Sequence, residues 1–343
     1  MAVAAPDTRA VVSPLGTRPV PIRTALVVGG LLVLGALGLR LADPQRVAWV
    51  RTYLVIFGSL LIQALPFVMF GAVAAALVEV FVPVGTLERL SRLPRPLQLP
   101  AAALAGLGMP ICECGSVPVA RRLVQRGLMP SAAVTFMLAA PVLNPVVVAS
   151  TFVAYRGRST LWTMVGGRFL LGMLVAIAVG WLMGARSADR LLKPNPQETH
   201  HNPVSMGRPE PRWRRFFGHL GNDFLFMGRY LILGATIAAT IQTFLPASVL
   251  GGLAERQLLA IVAMMALAAL LSLCSESDAF VAASFVQFGP APQLAFLVFG
   301  PMVDLKLIAL YAGTFQHGFV RAVVVGAAGA TLAGTLWVSV VFG

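Results

Sequence analysis

The sequence is poor in charged residues, which limits the class of protein it can form. Only 11% of its 343 residues are charged, whereas a soluble domain carries about 25%. Hydrophobic residues make up 58%, and Gly and Pro, which membrane helices tolerate, number 33 and 24. We therefore predict an all-α, polytopic protein of the bacterial inner (plasma) membrane.

Acidic residues are especially scarce, and the net charge is +13. In a soluble protein this charge would suggest a nucleic-acid partner. Here the arginines lie between apolar runs, where they act as topology signals, and no basic domain with interleaved aromatic residues is present. The predicted surroundings are a lipid bilayer, and nucleic acid is not expected as a partner.

Groups that support catalysis or ATP use are also missing. The three cysteines are too few for a disulfide framework and are expected to be reduced. The sequence has no phosphate-binding loop, no ATPase-sized polar domain and no convincing set of catalytic side chains. The protein is therefore not expected to be an enzyme or to hold a cofactor, and an ion gradient or a partner must supply its energy.

Long uncharged runs dominate what is present. A membrane-spanning helix needs about 20 apolar residues, and the runs predict about seven to nine such helices. Residues 24–45 are interpreted as a retained anchor helix after a cytoplasmic tail, residues 1–23. The uncharged runs are 24–39, 52–78, 127–155, 169–185, 230–254, 257–275, 279–303 and 322–343.

A basic, proline-rich linker, residues 185–215, separates two apolar parts of the chain. The positive-inside rule predicts that it is cytoplasmic. His200 and His201 lie in it, but no carboxylate or thiol is spaced near them as a ligand set, so they are interpreted as solvated loop residues. The parts before and after it, residues 46–184 and 216–343, are predicted to be two permease repeats.

The orientation of the linker depends on residues 99–128. If every apolar run spans fully and the N-terminus is inside, the linker falls outside, against the rule. A re-entrant hairpin at 99–128 removes the conflict and keeps its arginines on the cytoplasmic side. Irregular backbone at membrane depth occurs only where it is buried or lines a cavity, so the tip of this hairpin is a candidate site. Full spans with parallel repeats remain the alternative.

An internal repeat supports the two-part organisation. One common spacing aligns FGAVAAALVEVFVP with LGATIAATIQTFLP and also aligns Cys112-Glu113-Cys114 with Ser275-Glu276-Ser277. A spacing three residues shorter aligns PVLN, ending at Asn144, with PMVD, ending at Asp304. Each half is predicted to contain a long helix, a hairpin with an acidic tip, a helix interrupted by Pro, and a final helix. Three crossings in the first half make the repeats inverted, a pattern typical of secondary transporters.

Ionisable groups at membrane depth are costly and are functional by default. Prolines there free backbone carbonyls that are able to contact a cation or a polar substrate. The candidate pathway residues are Cys112, Glu113, Cys114, Asn144, Ser275, Glu276, Asp278 and Asp304, with Pro141, Pro145 and Pro301 beside them.

Each of these residues also has an ordinary explanation. Glu113 and Glu276 would do little at the edge of a vestibule, and Asp278 would simply cap a helix beginning near Ala279. Lys306 lies two residues from Asp304, so the two could form a structural pair. The cysteines could be packing residues, and Glu79 and Asp223, nearer helix ends, are treated as ordinary.

Two thiols that flank a carboxylate combine soft and hard ligands. Thiolates favour soft ions such as Cu(I), Zn or trivalent metalloids. Cys112, Cys114 and Cys274 are therefore candidate ligands for such an ion, although C-x-C alone is a weak signal. The carboxylates could instead bind protons or sodium to drive exchange.

The motifs resemble those of the predicted permease family related to the methylarsenite-efflux permeases. The resemblance rests on ICECGSVPVARRLVQRG after Pro110, on FMLAAPVLNP, and on LSLCSESDAFVAASF and FGPMVDLK in the second half. It implies a multi-spanning plasma-membrane permease. Many relatives have C-S-C-G where this chain has Glu113 between the thiols, so arsenical efflux does not follow. The motif positions include, besides the candidates above, Gly115 and Pro118.

The sequence thus favours a secondary permease that exports a metal or metalloid ion between two hairpin tips. A transporter of a sulfur-containing or organic solute is the alternative. A third possibility is a membrane anchor or thiol-redox subunit of a partner complex. A homo-oligomer or a small accessory protein is compatible with each of these.

Overall fold

A computed structural model describes residues 48–81, 94–109, 111–184, 191–193, 212–244 and 256–342. These residues form helices, connecting turns and one isolated bridge between Leu192 and Phe315. The all-α class is therefore confirmed. The predicted tail 1–23, the anchor 24–45 and most of the linker 185–215, including its histidine pair, lie outside the described residues.

The chain divides after Arg51 into two compact units. The first described helix begins shortly before this point, and the other described elements belong to the second unit, residues 52–343. In the first predicted repeat the helices are α1 (Ala48–Phe81), α2 (Arg95–Ala105), α3 (Glu113–Gln125), α4 (Pro130–Leu143), α5 (Pro145–Ala154) and α6 (Leu161–Met183), with a 3₁₀ turn at Gly106–Gly108.

The second predicted repeat contains the same order of elements. As in the first, a long helix is followed by a shorter apolar helix, a break, a short helix, two helices separated by a second break, and a final long helix. These are α7 (Arg212–Phe244), α8 (Gln257–Leu271), α9 (Asp278–Ser284), α10 (Pro290–Phe299), α11 (Leu305–Thr314) and α12 (His317–Phe342).

Packing between the helices follows the same correspondence. The contacts α2–α4, α4–α6 and α3–α4 recur as α8–α10, α10–α12 and α9–α10. Across the repeats, α3 contacts α11 and α5 contacts α9, while the equivalent helices α6 and α12 contact each other. The short helix after each predicted tip therefore packs on a helix of the other predicted repeat that follows a break or precedes one. The inverted orientation of the repeats stays a prediction.

Five helical stretches within the described residues are long and apolar enough to cross a membrane. The predicted runs 52–78, 127–155, 169–185 and 322–343 each correspond to one of them. The run 279–303 is not a single span, because the chain leaves the helix after Ser284 and begins α10 at Pro290. The spanning stretches are Trp49–Val80, Pro130–Ala154, Leu161–Met183, Phe216–Phe244 and His317–Val341.

The helix boundaries follow from local sequence. Pro130, Pro145 and Pro290 occupy the first positions of α4, α5 and α10, where the fixed φ of proline suits the helix and its missing N–H costs nothing. Ser272 ends α8 in the left-handed region, with φ of 49°. This non-glycine left-handed residue turns the chain into the second predicted tip.

Candidate functional site

Both predicted tips are breaks between helices, and both lie inside the protein. Cys112 has extended backbone, and α3 starts at Glu113 after it. In the second repeat, turns connect Ser272 to the start of α9 at Asp278. Glu113 and Ser275 are 1% and 0% exposed. The two short acidic segments therefore place polar groups in the interior of an apolar helical protein.

The two tips contact each other directly. The Ser275 hydroxyl donates a hydrogen bond to Glu113 Oε2 at 3.2 Å. The other carboxyl oxygen of Glu113 is buried and has no hydrogen-bond partner among the described residues. Two segments that the repeat aligns thus meet in space, which the repeat alone did not require.

Glu276, the repeat partner of Glu113, has a different environment. Its residue is only partly buried, but both of its carboxyl oxygens are inaccessible and lack a hydrogen-bond partner within the described residues. It interacts electrostatically with Glu113, Arg168 and Lys306. The two glutamates therefore occupy equivalent places in the sequence but not equivalent chemical surroundings.

Lys306 connects the first tip to the second repeat. Its Nζ lies 3.6 Å from Glu113 Oε1 and 3.7 Å from Asp304 Oδ2. All three side chains are about 1% exposed. The proposed structural pair of Lys306 with Asp304 is present, but the same ammonium group also neutralises a carboxylate of the other repeat.

Asn144 and Asp304, which the repeat aligns, each cap the helix that follows a break. Asp304 Oδ1 accepts a hydrogen bond from Leu307 N at 2.6 Å at the start of α11. Asn144 Oδ1 accepts one from Val146 N at 2.9 Å at the start of α5, and its amide nitrogen lies 3.5 Å from Ile111 O. Each break thus positions a polar side chain beside the tips while satisfying a helix N-terminus.

The Asp278 side chain makes a buried ion pair that the sequence motifs do not predict. Arg168, in the middle of α6, donates to Asp278 Oδ1 and Oδ2 at 2.8 and 2.7 Å. It also donates to Thr151 Oγ1 at 2.8 Å and to Ser275 O at 3.1 Å. Asp278 does not cap its helix, since Ser277 holds the cap position and no side-chain cap bond forms. The signal was available, because Arg168 is the single charged residue of an otherwise apolar α6.

The three thiols lie near this polar cluster. Cys112, Cys114 and Cys274 are buried and unbridged. Cys112 interacts with Cys114 and Cys274, and Cys274 interacts electrostatically with Glu113 and Lys306. Among the side chains that the structure describes, no group of three or more His, Cys, Asp or Glu residues is placed to hold a metal ion. The thiol ligand set therefore stays a prediction and needs these side chains to turn toward a common centre.

Glycine and proline shape the first tip. A Cβ on Gly115 would lie 2.9 Å from Phe67 O and 3.3 Å from Gly71 Cα, so two backbones touch where α1 crosses α3. Pro118 lies inside α3, where it cannot donate a helical hydrogen bond to the carbonyl of Cys114. Both motif residues therefore have a local structural role at the tip.

The remaining motif prolines mark the two equivalent breaks. Pro141 lies inside α4, one turn before the break at Asn144, and Pro145 starts α5 after it. In the second repeat, Pro301 lies in the turn between α10 and α11, so it does not interrupt a continuous helix. The carbonyl-freeing role predicted for these prolines applies most directly to Pro141, which removes a donor within a helix.

Asp223 and Glu79, acids to which the sequence assigns no special role, pair with two arginines at the end of α3. Arg122 donates to Asp223 Oδ1 and Oδ2 at 2.8 and 3.1 Å. Arg126 pairs with Glu79 Oε1 at 2.9 Å and also contacts the Glu79 carbonyl. These pairs join α3 to α1 and α7, so α3 is fixed to the long helices of both repeats.

Comparisons with known proteins agree with a transport protein. A family model described as "Predicted permease" matches residues 50–340. The chain is 37% identical over 285 residues to UPF0718 protein YcgR of Bacillus subtilis, covering 82% of this chain and 95% of that protein. It is 34% identical over 268 residues to a Streptococcus mutans protein named "Putative two-component membrane permease complex subunit", covering 78% and 88%. No solved structure matches the chain.

Proposed function

The chain belongs to the predicted permease family, and we propose that it is a secondary permease whose substrate passes between the two hairpin tips. It is a multi-pass bacterial membrane protein, as its apolar helices and relatives indicate. The observation that carries the proposal is the buried polar junction between repeats, in which Glu113 contacts both Ser275 and Lys306. Each ionisable group at the centre of a membrane helix costs about 2.5–3.5 kcal/mol on insertion scales, so such a junction is retained for function.

The packing supports alternating access as the mode of transport. Each short tip helix rests on the broken helix of the other repeat, α3 on α11 and α9 on α5. Rocking one repeat against the other would open the junction to one side and then to the other. Inverted repeats would make the two open states equivalent in construction.

The proposed substrate is a metal or metalloid ion, moved outward. Cys112 and Cys114 would bind it, because thiolates favour soft ions. Glu113 and Glu276 would bind the coupling ion or proton, since both carboxylates have oxygens free of hydrogen-bond partners within the described residues. The buried thiols and carboxylates lie in one region, as such coupling requires.

A resistance assay tests these assignments. Glu113→Gln and Cys114→Ser are expected to abolish the metal or metalloid resistance that the parent confers on a sensitised cell, at equal abundance in the membrane. Ser284→Ala is the matched control, because Ser284 is exposed and its hydroxyl donates to Val281 O of its own helix. If both site variants protect the cell like the parent, the site assignment is wrong.

A thermal-shift screen of the purified protein identifies the substrate class directly. Ligand at 100 times its Kd stabilises a folded protein by about 2.7 kcal/mol. Metals, metalloids and thiosulfate-like anions are the three groups to compare. Stabilisation by anions alone would favour the alternative of a sulfur-containing solute.

The name of the Streptococcus mutans relative favours a second candidate, a membrane subunit that works only with a partner. This candidate predicts that the purified chain in liposomes moves no substrate until the partner is added. Thiol modification in sealed vesicles tests the topology in parallel. A water-reachable Cys112 at mid-membrane fits a hairpin tip, while an inert Cys112 fits a full span.

A further inference from the structure

Three charged atoms at the junction face one another without hydrogen bonds. Lys306 Nζ, Glu113 Oε1 and Asp304 Oδ2 are buried and have no hydrogen-bond partner within the described residues. The separations of 3.6 and 3.7 Å exceed the usual N–H···O range, which is about 2.7–3.2 Å. The ammonium group is therefore held by charge alone, between one carboxylate from each repeat.

Acidic side chains outnumber basic ones around this ammonium group. Arg168 is committed to Asp278 through two hydrogen bonds. Lys306 serves two carboxylates at once, and the carboxyl oxygens of Glu276 have no hydrogen-bond partner among the described residues. The junction thus combines four acidic side chains with two basic ones. The acidic excess favours the binding of a cation rather than an anion.

We propose that Glu113 and Asp304 form the walls of a monovalent cation site, in which the Lys306 ammonium group is the resident ion and Na⁺ is the ion that displaces it. Carboxylate oxygens are hard ligands that suit such an ion. Na⁺ would be the coupling ion of the permease, held by Glu113 with Asp304 in place of Glu276, so this use of the site rests on the proposed function and refines it. The binding itself does not depend on transport.

The backbone of α11 is held in place at Lys306, so displacement of the ammonium group would move the side chain and not the helix. A Cβ on Gly234 would lie 2.7 Å from Lys306 Cα, so the backbone at Lys306 is pressed against α7. Its side chain is a flexible four-carbon stem that ends in a compact charge. In this proposal Na⁺ displaces the ammonium group through rotation of that stem.

Na⁺ binding to purified variants tests the proposal. Lys306→Gln removes the resident ion but leaves both carboxylates. It is expected to bind radioactive Na⁺ with a Kd about tenfold lower than the parent. Its Tm should rise in NaCl relative to choline chloride at equal ionic strength by more than that of the parent. The double variant Glu113→Gln/Lys306→Gln, which removes one wall as well, should lose this gain.

Lys193→Gln is the matched control, because the Lys193 ammonium group donates to a backbone carbonyl, Ala312 O, at 2.6 Å. It should bind Na⁺ as the parent does. The proposal is overturned if folded Lys306→Gln responds to Na⁺ no more than to choline, or if the double variant keeps the gain. It is equally overturned if Lys306→Gln fails to fold even in saturating Na⁺. Loss of resistance in the Glu113 and Cys114 variants is measured separately, so failure of the permease proposal is distinguishable.

Discussion

The Arg168–Asp278 pair should be the most sensitive polar contact between the two repeats. Arg168 lies on α6, and Asp278 begins α9 beside the second tip. The guanidinium makes four hydrogen bonds, two of them to the carboxylate at 2.7 and 2.8 Å. Removing one partner of a buried ion pair costs about 3–5 kcal/mol, because the other charge is left uncompensated.

Asp278→Asn is expected to lower the free energy of unfolding by about 3 kcal/mol or more. The asparagine oxygen is able to keep one hydrogen bond from Arg168, but its amide group would face the second guanidinium nitrogen donor to donor. Arg168→Met should cost a similar amount, because it strands the Asp278 carboxylate and removes the donor to Ser275 O.

The double variant Arg168→Met/Asp278→Leu should recover at least half of the larger single loss. Replacing both members of a buried pair by apolar groups is often neutral or stabilising. Recovery is not expected to be complete, because Ser275 O and Thr151 Oγ1 lose the donor that Arg168 supplied.

Reversible unfolding in mixed detergent micelles, followed by circular dichroism, measures these differences. Arg156→Met is the control, because Arg156 is exposed, and a surface change of this kind should stay within about 0.5 kcal/mol. Single losses below about 1 kcal/mol, or a double loss equal to the sum of the two, would refute the coupling that the geometry implies.

Two further predictions concern the tip and the second break. Gly71→Ala should destabilise the protein by about 1–3 kcal/mol, since the new Cβ would lie 2.6 Å from Gly115 O. On the same helix, a Cβ added at Gly58 would have no atom within 4 Å, so Gly58→Ala should be neutral or stabilising by about 1 kcal/mol. Thermal unfolding compares the two variants. Equal effects would contradict the close approach of Gly71 to Gly115. Asp304→Ala should cost about 0.5–2 kcal/mol through loss of the cap on Leu307 N. Asp304→Asn should retain most of this stability, and a loss as large as that of the alanine variant would show that charge rather than capping dominates there.

Much of the site could be predicted from residue types and their spacing. The alignment of Glu113 with Glu276 indicated which acidic segments correspond, and the structure places both segments at breaks between helices. Asn144 and Asp304 aligned at a shifted spacing and prove to cap equivalent helices. These features are accessible because a repeat leaves the same local pattern twice in the sequence.

Other features depend on contacts between segments far apart in the chain. Arg168 bonds to Asp278, and Arg122 bonds to Asp223, each across more than a hundred positions. In the sequence Arg168 merely borders the uncharged run 169–185, so its partner stays hidden. The long run 279–303 was likewise predicted as a span because its composition is uniform, although α10 only begins at Pro290.

The sequence by itself determined the membrane environment, the helical class and the duplicated order of elements. Each follows from composition and local pattern, since the bilayer requires apolar helices that satisfy their own backbone. The tertiary structure alone decided which charges meet. Glu113 and Glu276 are equivalent by alignment, yet the fold places the Lys306 ammonium group 3.6 Å from Glu113 and leaves the Glu276 carboxyl oxygens without a hydrogen bond among the described residues. Electrostatic partners are set by distances between segments that are far apart in the sequence, and a local sequence pattern does not determine those distances.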